Sequence, residues 1–75
     1  MIDVNVKLIR DLTPGDKVWR VTIGAQSLGN IQDELLGDKV FYYFSNTYFK
    51  TLEQAVKFLV SKVITQIELK ISVSA

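Results

Sequence analysis

Apolar and polar residues alternate cleanly at both ends of the chain. Ile2, Val4, Val6 and Leu8 fall on one side of an extended segment, with Asp3, Asn5 and Lys7 on the other. This period of two predicts a strand over Met1–Arg10 with one buried face. Ile67, Leu69, Ile71 and Val73, opposed by Glu68, Lys70 and Ser72, predict a matching strand near the C-terminus. The two terminal strands are expected to pair with each other in one sheet or, as regular edges, to pair across a dimer. Between them, Trp19, Val21 and Ile23 alternate with Val18, Arg20 and Thr22, predicting a second strand over Lys17–Ile23.

Lys39–Phe44 is a strand with apolar side chains on both faces: Val40, Tyr42 and Phe44 on one, Phe41 and Tyr43 on the other. Such a strand is expected to be central, or to have its second face covered. Ser45-Asn46 marks a reversal, and Thr47–Lys50 a short returning strand. Ile31–Leu36 reads either as a short helix between Asn30 and Gly37 or as a strand. In the second reading a Gly37-Asp38 hairpin turn joins it to Lys39–Phe44. The hairpin is preferred, because six residues make a poor helix next to a strong strand. Leu12–Asp16 (LTPGD) is the strongest turn signal, and Gly24–Asn30 (GAQSLGN) reads as a loop by composition. No GxGxxG spacing is present, so its two glycines give no phosphate cradle.

A different period begins at Thr51. Thr51 and Gln54 have the spacing of a capping box, and Glu53 sits where the helix dipole favours a carboxylate. At 100° per residue, Leu52, Ala55, Val56, Leu59, Val60 and Val63 form a stripe about 140° wide. The helix is therefore expected to lie on a sheet and to end near Thr65 or Gln66. Phe58 falls about 130° from the stripe's centre, beside Gln54, Lys62 and Thr65. It either covers a neighbouring loop or sheet edge, or contacts another chain. The expected architecture is a single α+β domain over residues 1–75. It has a small antiparallel sheet of about five strands, with one helix packed on one face.

Composition narrows the chemistry. A 75-residue chain buries only about 60% of its unfolded surface, so a partner or second copy would add needed stability. Nine basic against eight acidic residues leave +1, which gives no electrostatic footprint for nucleic acid. Histidine and cysteine are both absent. That removes the commonest general base, the thiol nucleophile and most transition-metal sites. Asp33 and Glu34 would point to opposite faces of a strand and form no acid/base pair. Asp11, Asp16 and Asp38 sit in turns, where aspartate is common for backbone reasons. No catalytic residue, metal site or cofactor is expected, and the reading is non-enzymatic. The longest apolar run, Val40–Phe44, is too short for a membrane span, and the N-terminus does not have the pattern of a secretory leader.

One further pattern suggests a setting. Leu12, Gly15, Asp16, Val18 and Trp19 form an L-x-x-G-D-x-V-aromatic opening, and Tyr48, Phe49, Thr51 and Ala55 a Y-F-x-T-x-x-x-A helix entry. Across Leu12–Leu59 the chain thereby resembles small uncharacterised accessory proteins of Gram-positive bacteria and their phages. The resemblance implies a non-enzymatic mobile-element protein in the host cytoplasm, and carries over no catalytic residue. The function expected is that of a protein-interaction module that binds or inhibits a host protein, one of antiviral defence among the options, with a homodimer as one form. Phe41, Tyr43, Phe58 and Lys62 are the candidate partner-binding residues. The alternative is single-stranded nucleic-acid binding through sheet aromatics, with Arg20 and Lys39 near phosphates. The near-zero net charge and the lack of an RNP-type motif disfavour it.

Overall fold

The computed structural model describes residues 1–11, 17–65 and 68–75. The elements in chain order are β1 (Ile2–Arg10), β2 (Val18–Ile23), β3 (Gln26–Leu36), β4 (Lys39–Phe44), β5 (Thr47–Phe49), α1 (Leu52–Ser61) and β6 (Leu69–Ser74). The strands form one six-stranded sheet in the order β5-β4-β3-β2-β1-β6. The α+β class holds, but the strands number six where five were expected. The sheet is also mixed: β1 pairs antiparallel with β2 and parallel with β6. The parallel pair follows from connectivity. The connection from β5 to β6, which contains α1, takes the chain from one edge of the sheet to the other, and β6 enters beside β1 in the same direction.

Three two-residue turns set the register from β2 to β5. Gly24-Ala25 joins Ile23 to Gln26, Gly37-Asp38 joins Leu36 to Lys39, and Ser45-Asn46 joins Phe44 to Thr47. Gly24 and Gly37 supply positive φ at the first turn position, at 59° and 68°. Ser45 and Asn46 both adopt positive φ, the primed geometry that matches strand twist. The Tyr43 hydroxyl donates to Asn46 Oδ1 at 2.6 Å and braces that turn. Ile31–Leu36 is thus strand, as the hairpin reading requires.

The segment 24–30 is not a loop. Only Gly24-Ala25 turns, and β3 runs on from Gln26 with a bulge at Leu28, where the register steps from Val21↔Gly29 to Thr22↔Ser27. The LTPGD turn lies outside the described residues, as do Gln66 and Ile67.

The core lies between α1 and one sheet face. Val4, Val6, Val21 and Ile31 from the sheet and Ala55, Val56, Leu59 and Val60 from the helix are almost wholly buried. Trp19, Tyr42, Phe44, Phe49, Leu52, Leu69 and Ile71 pack around them. The Gln54 N–H donates to Thr51 Oγ1 at 3.2 Å, the cap that the T-x-x-Q spacing implied. The helix stops at Ser61, short of Thr65, so Val63 leaves the stripe and is 53% exposed. β4 is not central either. It stands one strand from the edge, and its second apolar face is not covered by the helix.

Candidate functional site

The strand registers assign the side chains of the sheet's second face. Directly opposed residues share a face, so Asp3, Asn5 and Lys7 of β1 lie with Arg20 and Thr22 of β2, Asn30, Gln32 and Glu34 of β3, and Lys70 and Ser72 of β6. Asp3, Asn5, Lys7, Arg20, Asn30, Gln32, Lys70 and Ser72 are all exposed. Among the described residues, no helix lies over this face.

An aromatic cluster stands at one end of it. Phe41 and Tyr43 project from β4, and the Ser45-Asn46 turn brings Tyr48 of β5 directly opposite Tyr43. The two tyrosine rings sit 5.0 Å apart, tilted by 55°. Glu34 of β3 is opposite Phe41, and its Oε2 accepts a 3.0 Å hydrogen bond from the Tyr48 hydroxyl. That bond, then desolvation and the nearby carboxylate charge, raises the Tyr48 pKa above its ordinary 10.0, so the phenol remains a donor at neutral pH. Phe41 and Tyr43 are half-buried, whereas Tyr48 is 48% exposed.

Beyond the end of β5, Lys39, Val40, Phe41 and Lys50 line a shallow depression of about 390 Å³. The Lys39–Phe41 stretch of β4 has no β5 partner there. The cluster therefore presents aromatic rings and flanking ammonium groups around one engaged carboxylate. Among the described residues, no group of three or more acidic, histidine or cysteine side chains could hold a metal ion.

Of the residues singled out in the sequence, Phe41 and Tyr43 come together here. Of the two alternating pairs, they are the one on the helix-free face, while Tyr42 and Phe44 join the core. Phe58 and Lys62 lie in the other layer. The Phe58 ring packs 5.2 Å from Phe49 and 6.3 Å from Phe44, and Lys62 Nζ lies 4.8 Å above it. Phe58 thus closes the β4–β5 end of the helix layer, which accounts for its place off the apolar stripe. The sequence reading missed Tyr48 and Glu34 as members of the cluster. A two-residue turn at Ser45-Asn46 already implies the Tyr43–Tyr48 pair, so that signal was present. Glu34 needed the β3–β4 register.

Comparison with protein-family models, curated proteins and solved structures finds no match for this chain. No helix among the described residues is long and apolar enough to cross a membrane.

Proposed function

We propose that the protein is a non-enzymatic protein-interaction module whose helix-free sheet face binds a host protein. The observation that carries this is the Phe41–Tyr43–Tyr48 cluster on a face over which no helix lies among the described residues. Aromatic residues of this kind dominate binding energy where a partner can exclude water from them, and tyrosine serves both an apolar and a polar contact. Lys39 and Lys50 beside the cluster suit an acidic partner surface. The resemblance to mobile-element accessory proteins supplies the setting: a phage or mobile-element protein acting in the bacterial cytoplasm by binding or inhibiting host machinery.

One observation favours a second reading. The same rings, with Arg20, Lys39 and Lys50 on or beside the face, could stack single-stranded bases and meet phosphates. Glu34 stands against it, since its carboxylate occupies the middle of the cluster and would face the nucleic acid.

The test is affinity capture from a host lysate with wild type, Phe41→Ala and Tyr43→Ala, all shown to be folded by circular dichroism. A specific protein retained by wild type and lost with both variants is the expected result. Equal capture by all three would overturn the assignment of the face. Salt-sensitive binding to a single-stranded oligonucleotide, lost with the same variants, would replace the protein partner by nucleic acid.

A further inference from the structure

The two edges of the sheet are finished differently. At one, β5 is only three residues long, and the β4 edge beyond it is flanked by Lys39 and Lys50. Short edge strands and lysines are devices that discourage further pairing. At the other, β6 offers six residues, Leu69–Ser74, with no proline, no register shift against β1 and a single charge at Lys70. Among the described residues, no strand pairs with its outer side. On the helix face, α1 leaves this strand partly bare. Leu52, Glu53, Leu69, Ile71 and Val73 line an open groove of about 280 Å³, and Val73 is 54% exposed.

We infer that the β6 edge pairs antiparallel with β6 of a second copy, about a two-fold axis normal to the sheet. The sequence of the strand makes it self-complementary. Directly opposed residues must share a face, which limits the register to shifts of two residues. Centred on Ile71, the pairing sets Ile71 against its own counterpart and Leu69 against Val73 of the second copy. Lys70 then meets Ser72 of the second copy. Every apolar side chain of the strand meets another, and no like charges oppose. Centred on Lys70, the pairing would set two ammonium groups face to face, which is unfavourable. Within its own sheet Lys70 is already in register with Asp3, so its other neighbour need not be acidic.

A six-residue strand edge is a small contact beside the roughly 20–30 residues a side of a standard stable interface, so the dimer is a weak one. It rests on the interaction-module reading, of which it names one partner, and it has a consequence for that reading. The two helix-free faces become continuous, with β4 and its counterpart nine strand spacings apart, or about 43 Å at 4.8 Å each. Two aromatic clusters are then displayed on one side of a twelve-stranded sheet.

Sedimentation of the full chain from about 10 µM to about 1 mM, a range suited to an interface below standard size, tests this. A reversible monomer–dimer equilibrium is expected. Ser72 is exposed on the helix-free face, so changing it spares the core. Ser72→Lys sets lysine against Lys70 twice, and Ser72→Glu creates two opposite-charge pairs. They should respectively weaken and tighten the dimer by about twofold to thirtyfold. With no other cysteine in the chain, Ile71→Cys should form a disulfide-linked dimer on mild oxidation.

A monomer at every concentration overturns the inference, as does a dimer whose affinity is the same in both Ser72 variants. So does a monomer whose Ser72 variants alter host-protein capture, since the edge would then serve a foreign strand. A monomer that still loses its captured protein on Tyr43→Ala sinks the edge pairing and leaves the function assigned to the face intact.

Discussion

Asp33 is the one buried charged side chain among the described residues, at 6% exposure, and it stands on the apolar side of β3. Its carboxylate is held by the backbone: the Lys17 N–H donates to Oδ1 at 2.7 Å, while the Asp33 N–H donates to the Lys17 carbonyl at 3.1 Å. Lys17 in turn places its ammonium 3.6 Å from Asp11 Oδ1. The chain entering β2 is thus tied to β3 on one side and to the end of β1 on the other. Asp33→Ala would leave the Lys17 N–H without its acceptor and should cost about 1–3 kcal/mol. Asp33→Asn keeps an acceptor oxygen and should cost less. Urea unfolding of the two variants checks this, and equal losses would show that the hydrogen bond is not what holds the segment. Alternation showed that Asp33 and Glu34 face opposite ways. It could not show that the carboxylate takes the buried face, because its partner is a backbone group sixteen positions earlier.

At the scale of elements, legibility followed the strength of the local signal. β4 and the start of α1 were read closely, because a run of β-formers and a cap are decided by neighbouring residues. The first half of β3 was misread for the converse reason. Gln26, Ser27, Gly29 and Asn30 have little intrinsic strand preference, and pairing with β2 makes them extended. Gly29 also does what another residue could not. It adopts φ +153°, and a Cβ there would come within 3.3 Å of Leu59 Cδ1 and 3.5 Å of Phe44 Cε1. The bulge turns Leu28 into the core, and the bare Gly29 backbone lets Leu59 seat beside it. Gly29→Ala should therefore destabilise by about 1–3 kcal/mol through backbone strain and crowding together. Thermal unfolding measures the loss, and an unchanged midpoint would mean that α1 shifts freely on the sheet. What composition marked as a loop is a place where the helix seats directly against the sheet backbone.

At the scale of the molecule, the first and last strands share one task. β6 is parallel to β1 from Ile2↔Leu69 to Lys7↔Ser74, so the chain's end shields the strand that carries Val4 and Val6. Neither terminal alternation pattern contains this information. Each says only that one face is buried, and strand order arises from the long crossover by α1. The aromatic cluster was half legible in the same sense: Phe41 and Tyr43 came from alternation within one strand, whereas Glu34 came from pairing between strands. A chain of this size has little stability to spare, so loss of the closing strand should be felt throughout. Deleting Leu69–Ala75 would uncover one side of Val4 and Val6 and remove Leu69 and Ile71 from the rim of the core. The shortened chain is expected to lose its cooperative thermal transition and the dispersed amide spectrum of a folded domain. A five-stranded remnant that still melts cooperatively would show that β1 can serve as an edge. The inferred two-copy pairing would then lie on a dispensable strand, whereas loss of folding would place it on one that the core itself requires.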